Sequence, residues 1–394
     1  MSITERVADR MGLIEESATF AVADQVKKLR AEGREVWDLG GGDPDFATPD
    51  HVNGAAIESM EQGNTHYVAS RGLPELRTAI SKKFEEDNGL DYDPLEQIIV
   101  TPSAKHALFI ALLTTVNPGD EVLLPSPSWV SYEAIIRFVG GVPAFVPLES
   151  EQGFVLTAER LRSALTPRTR MILVNSPNNP TGRALTREEV TAVAEVAEEA
   201  DLLIISDEIY EKILYDDREA ISLGTMPGCL ERTLTINGFS KAYAMTGWRL
   251  GYVAGPQEII AEVLKAQQHT VGCAGSFVQA GGLAALTGSQ DCVAEMVAEY
   301  ATRRNFIAEA LDELPGVRCP KPDGAFYVFP QVEASMFGDD TAFTNWLLES
   351  AGVAVTPGCA FGPGGAGHVR MSFANSQTIL EGALEAMRRV WPSS

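Results

Sequence analysis

From residue 97 onward the sequence alternates short apolar runs with segments of helix length, and this alternation constrains the fold more than any other feature. Alternation of this kind is typical of strand–helix–strand units, which build a parallel sheet with helices on its faces. The predicted strands are 97–101, 121–124, 142–147, 171–175, 202–206, 233–236 and 250–254, and the predicted helices among them are 104–116, 132–139 and 187–199. The sequence therefore predicts an α/β fold with a large domain built on a mostly parallel central sheet.

A second, smaller unit is predicted because 394 residues exceed a hydrophobic core of ordinary size. After Gly288 the pattern changes to a long helix at 291–314, short strands and a closing helix, which is typical of an α+β domain. The short strands are predicted at 324–329, 352–356 and 369–373, the closing helix at 378–390 and an N-terminal helix at 19–32. We predict a large domain over residues 45–288 and a small domain formed by residues 1–44 and 289–394.

The composition excludes several classes of protein. A net charge of −23 would repel nucleic acid and anionic lipid, so we expect neither as a partner. No segment has the roughly 20 consecutive apolar residues that cross a bilayer, and the N-terminus lacks the features of a secretory signal, so a cytoplasmic location is expected. The five cysteines form no metal-binding or redox motif, so we predict reduced thiols and no metal site.

A lysine and an arginine follow the predicted strand at 233–236, within the run Ser240–Arg249. The amine of Lys241 can form an imine with an aldehyde once its pKa is lowered, and the planar fork of Arg249 can hold a phosphate. Pyridoxal 5'-phosphate (PLP) needs both groups, so this pair favours PLP as a cofactor. The alternative is a surface lysine and a solvated arginine at the end of a strand.

Polar residues also follow two other predicted strands, at the sheet edge where α/β proteins bind ligands. Asp207, after the strand at 202–206, could pair with a pyridinium nitrogen, and the phenol of Tyr210 could bond the cofactor. Asn179 lies in an Asn-Pro segment after the strand at 171–175, where one X-Pro bond could be cis. A helix cap at Asp207 and an ordinary turn at Asn179 are the structural alternatives.

Three further features could bind an anion or a flat ring. Backbone N–H groups at Ser103–Lys105, where a helix is predicted to begin, could bind a phosphate, with a plain N-cap as the alternative. Trp129 could stack on a heterocycle, although a lone tryptophan more often belongs to the core. Arg370 lies among apolar neighbours in a predicted strand, where an inward guanidinium would need an anionic partner such as a substrate carboxylate; an outward, solvated arginine is the alternative. The glycines at 40–42 lack the spacing of a dinucleotide fingerprint.

Six motifs, taken in order, resemble the class I/II aminotransferases, which are fold-type I PLP enzymes. They are Gly42-Asp43-Pro44-Asp45-Phe46, Asn179-Pro180-Thr181-Gly182, Ser206-Asp207-Glu208-Ile209-Tyr210, Ser240-Lys241, Arg249 and Arg370. The match spans nearly the whole chain and is most similar to the bacterial aspartate aminotransferase branch. The resemblance implies ping-pong transfer of an amino group between an L-amino acid and a 2-oxo acid, in a homodimer with shared active sites.

The resemblance also implies a role for each matching residue. Lys241 would carry the cofactor as an aldimine and move a proton, and Asp207 would keep the pyridine nitrogen protonated. The remaining cofactor contacts would be Tyr210 and Asn179 at the ring oxygen, Ser103, Ala104, Lys105, Ser240 and Arg249 at the phosphate, Trp129 on the ring, and Tyr67 from the neighbouring subunit. The substrate α-carboxylate would lie at Arg370, with Gly42 and Asn179 nearby.

Lys105 matches a lysine that acidic-substrate members use for the distal carboxylate, and Ser17 and Thr19 match their N-terminal helix contacts, so aspartate or glutamate is favoured. The segment 271–275 departs from the family because it is poorer in Ser, Thr, Asn and Pro and could enlarge a wall of the site, and His106 could add a polar group there. Two alternatives stay open at this point. They are PLP-dependent elimination, replacement or carbon–carbon bond formation, and a non-catalytic PLP-sensing module.

Overall fold

The computed structural model describes residues 6–392. The strands, numbered in chain order, are β1 (Trp37–Asp38), β2 (Ile98–Thr101), β3 (Glu121–Ser126), β4 (Val142–Pro147), β5 (Thr169–Asn175), β6 (Leu203–Asp207), β7 (Thr233–Gly238), β8 (Gly251–Ala254), β9 (Val317–Arg318), β10 (Tyr327–Val328), β11 (Gln331–Val332), β12 (Val353–Ala354), β13 (Thr356–Pro357) and β14 (Val369–Ser372). The helices are α1 (Ala18–Ala31), α2 (Asp50–Glu61), α3 (Pro74–Lys83), α4 (Ala104–Thr115), α5 (Val130–Phe138), α6 (Ala158–Ser163), α7 (Arg187–Glu199), α8 (Gln257–Thr270), α9 (Ser276–Thr287), α10 (Asp291–Asp312), α11 (Ala334–Phe337), α12 (Asp340–Ala351) and α13 (Gln377–Val390).

Seven strands form the central sheet in the order β2-β8-β7-β6-β5-β3-β4. All the neighbouring pairs are parallel except those of β8, which runs antiparallel to both β2 and β7. The prediction of an α/β fold with a mostly parallel sheet is therefore confirmed. Because β8 is reversed, its first residues lie at the same edge as the carboxyl ends of the other six strands.

Helices cover both faces of this sheet, since successive strand residues point to opposite sides. In β3, Val122 and Leu124 pack in one apolar cluster with residues of α4, α5 and α8. Leu123, between them, packs on the other face with residues of α6 and α7. The strands are buried on both faces, which explains why they read as continuous apolar runs in the sequence.

A second group of elements packs beside the central sheet. It contains the antiparallel strands β10, β14 and β13 and the helices α10, α12 and α13, which share one apolar cluster. The N-terminal segment joins this group, since β1 pairs in parallel with β12 and Val26 and Val36 pack on Leu348 and Ala354. The division into domains at residues 44 and 288 stays a prediction.

Several elements differ from the sequence prediction. Helix α9 was not predicted, and its two adjacent glycines have low helix propensity. A Cβ on Gly281 would lie 2.6 Å from Trp248, and one on Gly282 would lie 2.4 Å from Leu250, so α9 needs both glycines to approach the segment after β7. The strand predicted at 324–329 is only Tyr327–Val328, and the one predicted at 352–356 divides into β12 and β13. Over residues 6–392, no helix is long and apolar enough to cross a membrane.

Candidate active site

A cavity of about 520 Å³ opens at the sheet edge where β2, β5, β6 and β7 end. It brings together residues that lie far apart in the sequence. Of the predicted site residues, those lining the cavity are Ser17, Thr19, Gly42, Ser103, Ala104, Lys105, Trp129, Asn179, Asp207, Tyr210, Ser240, Lys241, Arg249 and Arg370. Four of these residues are cationic, whereas the carboxylates in the lining are Asp43 and Asp207. The cavity is therefore locally positive in a chain whose net charge is −23.

Lys241 lies just beyond the end of β7 and projects its amine into this cavity. Its Nζ donates a hydrogen bond to the carbonyl of Gly42 and lies 5.3 Å from the ring centre of Phe326. Burial lowers the pKa of Lys241 to about 8, while Asp43 opposes this shift and Arg370 adds to it. A lowered pKa leaves a larger fraction of the amine uncharged and nucleophilic near neutral pH.

Asp207 is the last residue of β6 and lies at the floor of the cavity. Burial raises the pKa of Asp207 to about 6, and the hydrogen bond from Tyr132 opposes this shift. The Tyr132 hydroxyl donates to Oδ2 at 2.7 Å and the backbone N–H of Ile209 donates to Oδ1 at 3.2 Å. These bonds fix the carboxylate as a buried acceptor facing the ligand space.

Tyr327 contacts both Tyr210 and the backbone at Gly42. The hydroxyls of Tyr210 and Tyr327 lie 2.9 Å apart, and both line the cavity. A Cβ on Gly42 would lie only 2.5 Å from the Tyr327 hydroxyl. Glycine at position 42 therefore allows the chain after β1 to pass close to this pair while its carbonyl accepts from Lys241.

Arg370 is 1% exposed and lies between the two groups of elements. It donates to the side-chain oxygen of Asn179 at 3.1 Å and to the carbonyl of Gly40 at 2.6 Å. Its Nε is buried and has no hydrogen-bond partner among residues 6–392. Asn179 in turn is held by its backbone N–H, which donates to Asn175 Oδ1 at 2.9 Å, and the following bond to Pro180 is cis. Burial lowers the pKa of Arg370, because the charged guanidinium is costly to remove from water. An anionic ligand would offset this cost.

The N-terminus of α4 faces the cavity beside Arg249. Ser103 caps this helix with its hydroxyl, which accepts from the N–H of His106 at 3.3 Å. A Cβ on Gly251 would lie 2.3 Å from the backbone nitrogen of Ala104, so the glycine lets β8 approach the helix end. Ser103 and Arg249 both have positive φ, at 98° and 55°. Strained backbone of this kind concentrates at functional sites, and here it presents helix N–H groups and a guanidinium to one space.

Lys105 and Trp129 lie on one wall of the cavity. The ammonium of Lys105 is 4.8 Å from the Trp129 ring centre and 5.8 Å from that of Phe20 in α1. Ser17 and Thr19 lie at the start of the same helix, with their hydroxyl oxygens 3.2 Å apart. Burial lowers the pKa of Lys105, and nearby Arg249 adds to this shift. This wall offers a cation and hydroxyl groups to a polar ligand.

Three predicted contributors lie outside this lining. Tyr67 is 95% exposed, and His106 instead has its Nε2 3.4 Å from the hydroxyl of Thr270. The segment 271–275 connects α8 to α9 and contributes no residue to the cavity of this chain. Ser276, just after it, donates to the carbonyl of Asn64 at 2.6 Å. The unusual segment therefore lies beside the stretch of chain that carries Tyr67.

Three residues of the site were missed by sequence reasoning. Asn175 could have been found from the sequence, because it ends β5 shortly before Asn179. In the structure its side-chain amide donates to the carbonyl of Asp207 at 2.9 Å. Tyr132 was predicted only as the first residue of a helix. Tyr327 lies inside an apolar stretch and gave no signal of its own.

Comparison with known proteins identifies the family. A family model described as aminotransferase class I and II matches residues 34–387. The chain belongs to this family. The aspartate aminotransferase of Musicola paradisiaca is 47% identical over 381 residues, covering 97% of this chain and 95% of that protein. The aspartate/prephenate aminotransferase of Cereibacter sphaeroides is 42% identical over 388 residues, covering 96% of each chain.

Solved structures agree with this identification. The aspartate aminotransferase of Thermus thermophilus with maleate has a TM-score of 0.93 and is 42% identical, covering 98% of this chain and 99% of that one. The chain therefore has the fold-type I architecture of these enzymes. It is an aminotransferase, which moves an amino group between an amino acid and a 2-oxo acid in two stages. The sequence prediction of this family and activity is confirmed, over the two alternatives that stayed open.

Proposed function

We propose that this aminotransferase binds PLP in the cavity at Lys241 and uses an acidic amino acid, aspartate or glutamate, as its amino donor. The observation that carries this proposal is one cavity holding a buried amine between a buried carboxylate and a cluster of anion-binding groups. The amine is that of Lys241 and the carboxylate that of Asp207. Each is a group that PLP chemistry needs, and each shifted pKa has burial as its largest cause.

The side chains present fit PLP at each of its polar groups. The N-terminus of α4, Ser240 and Arg249 would hold the phosphate, since helix N–H groups, a hydroxyl and a guanidinium are all donors to phosphate oxygens. Asp207, which accepts from two donors and faces the cavity, would pair with the pyridine nitrogen. Tyr210 and Asn179 would bond the ring oxygen, and Trp129 would contact the ring. The cavity volume of about 520 Å³ has room for the cofactor and a small amino acid.

When bound, PLP supplies an electron sink that makes the substrate Cα–H bond acidic. Lys241 would hold the cofactor through its aldehyde, and its amine would also move the proton at the substrate Cα. Its lowered pKa suits both tasks, because an amine near pKa 8 can accept and return a proton close to neutral pH. Asp207 would stabilise positive charge on the ring nitrogen, which strengthens the electron sink.

Substrate preference would follow from two cations placed apart in the same cavity. Arg370 would bind the α-carboxylate, because it lines the cavity with Gly42 and Asn179 and its buried Nε has no hydrogen-bond partner among residues 6–392. Lys105 would bind the distal carboxylate of an acidic donor. The Thermus relative was solved with maleate, a dicarboxylate, which supports a site for two carboxylates.

Replacing Lys105 with glutamine should reduce kcat/KM for aspartate by about 10- to 100-fold, because a partly buried charge-assisted contact contributes a few kcal/mol. The value for phenylalanine, which has no distal carboxylate, should change by less than about threefold. Steady-state kinetics with 2-oxoglutarate as acceptor measure both. Lys212→Gln is the matched control, since Lys212 pairs with Asp87 outside the cavity lining. An equal loss for both donors would contradict the assignment of Lys105 to the distal carboxylate.

We also propose a cytoplasmic homodimer in which Tyr67 reaches the cavity of a second copy of the chain. A tyrosine that is 95% exposed and lies outside its own cavity is free to do so. The exposed side chains of Ile57 and Met60 in α2 lie near it in the sequence, and a dimer contact would cover apolar surface of this kind. The domain boundaries proposed above, at residues 44 and 288, would then divide each copy into a large and a small unit.

A further inference from the structure

A second cavity, of about 270 Å³, lies outside the site described above. Its lining includes Thr181 and Arg183, which follow Asn179 in the chain, and also Gln331 of β11 and His368, which form an isolated β-bridge just before the strand of Arg370. Chain neighbours of both Asn179 and Arg370 therefore line this cavity, and its lining comes from both groups of elements. None of the residues that line it lines the first cavity.

Basic side chains are concentrated at this second cavity. Arg218, Arg318 and Lys321 line it together with Arg183, whereas its own lining contains one carboxylate, Asp323. Further carboxylates lie next to it, namely Glu189 beside Arg183, Glu309 beside Lys321 and Glu151 close to His368. Arg318 is exposed and pairs with no carboxylate among residues 6–392. Because Arg183, Arg218 and Lys321 each pair with a carboxylate, Arg318 supplies the unpaired positive charge at this cavity within the described part of the chain.

Two of the existing ion pairs are weak enough to share with a ligand. Arg218 pairs with Asp323 at 2.8 Å and Lys321 pairs with Glu309 at 2.7 Å, and in both pairs the cation is about half exposed. Solvent screens the half-exposed cation of each pair, although Asp323 itself is only 19% exposed, so an incoming anion can compete for these cations. The pair of Arg183 and Glu189 is different, because Glu189 is buried and bidentate. It forms a fixed wall.

Aromatic contacts connect this cavity to Arg370. The imidazole of His368 stacks on Phe329 with ring centres 5.0 Å apart, and Phe329 lies 6.0 Å from Phe361. The guanidinium of Arg370 lies 5.1 Å from the centre of the Phe361 ring. These side chains therefore form one continuous packed path from His368 to Arg370.

We propose that the second cavity binds a small polyanion with two or more carboxylate or phosphate groups, and that its occupancy alters substrate binding at Arg370. Arg318, Lys321 and Arg218 hold the anionic groups at the mouth of the cavity, and His368 and Phe329 form its inner wall. The proposed binding of an anion does not depend on the proposed function. The proposed effect on substrate binding rests on the proposed role of Arg370 in holding the substrate carboxylate.

Titration calorimetry of the holoenzyme with citrate and, separately, with pyrophosphate tests whether the second cavity binds an anion. The double variant Arg318→Gln, Lys321→Gln should bind the preferred anion at least about tenfold more weakly than the wild type. The matched control is Arg162→Gln, Lys265→Gln, which removes the same charge from half-exposed ion pairs outside this cavity and should bind like the wild type. The better ligand distinguishes a carboxylate from a phosphate site. Equal binding by all three proteins, or no saturable binding at 10 mM, would overturn the proposal.

Steady-state kinetics with the preferred anion at saturation test whether the bound anion alters binding of the amino donor. The KM for the amino donor should change at least about threefold in the wild type and the control, and much less in the Arg318, Lys321 double variant. Competition at the first cavity would instead raise the KM equally in all three proteins. If the anion binds but this difference in KM is absent, the proposed effect on substrate binding is wrong and the cavity is an anion site only. If none of the three proteins transfers an amino group from the donor, the proposed function is wrong and the proposal for the second cavity is not affected.

Discussion

Replacement of Lys241 with alanine is expected to lower kcat by about 10⁴-fold or more, because one side chain is proposed to bind the cofactor and to move the Cα proton. No other side chain of the cavity can substitute for it. The amine of Lys105 also lines the cavity, but it lies over the Trp129 ring, whereas the amine of Lys241 bonds the carbonyl of Gly42. Single-turnover and steady-state assays with aspartate and 2-oxoglutarate measure the loss.

The variant should remain folded, since alanine at position 241 removes a charged group that is costly to bury. Circular dichroism and thermal unfolding of the protein without cofactor provide this check, and a Tm equal to or above that of the wild type is expected. Lys212→Ala, which removes a lysine paired with Asp87 outside the cavity, is the control and should keep its activity. Turnover by the Lys241 variant within tenfold of the wild type would mean that another residue performs these tasks.

Replacement of Arg370 with alanine should raise the KM for the amino donor by about 100-fold or more, with a smaller loss in kcat. Loss of one partner of a buried charge-assisted contact costs about 2–5 kcal/mol, which corresponds to this range. The substitution also leaves Asn179 Oδ1 and the carbonyl of Gly40 without their donor. Steady-state kinetics over a wide range of donor concentration separate the change in KM from the change in kcat.

Arg370→Lys distinguishes charge from geometry in this prediction. Lysine keeps the positive charge but lacks the planar fork that can bond Asn179, Gly40 and a carboxylate at once. We expect the KM of Arg370→Lys for the amino donor to be less than about tenfold lower than that of Arg370→Ala. Arg388→Ala, on an exposed arginine paired with Glu313, is the control. A KM unchanged by Arg370→Ala would place the substrate carboxylate elsewhere in the cavity.

The strands and the order of the site motifs could be predicted because both depend on local sequence. The strands of the central sheet are apolar runs buried on both faces; Asp207 is the last residue of β6, and Lys241 lies shortly beyond the end of β7. Since parallel strands share their carboxyl edge, their proximity followed from the fold class alone. The structure places these residues in one cavity, and their individual roles stay predictions.

The parts that could not be predicted depend on contacts between distant segments. Tyr132 donates to Asp207 from a helix 75 residues away in the sequence, and Tyr327 contacts Tyr210 across 117 residues. The helix α9 was hidden because Gly281 suggests a loop, although tertiary packing on Trp248 requires it. The segment 271–275 was expected to border the site, and only the structure shows that it lies outside the cavity of its own chain.

The absorbance spectrum of the holoenzyme tests whether the enzyme transfers an amino group through a cofactor held at Lys241. Aspartate is added to the purified enzyme without a 2-oxo acid, and 2-oxoglutarate is then added after the donor has been removed. We expect the visible band of the bound cofactor to disappear with aspartate and to return with 2-oxoglutarate, and we expect that Lys241→Ala does not complete this cycle. A band that persists in the presence of aspartate, or that returns without any 2-oxo acid, would contradict this expectation.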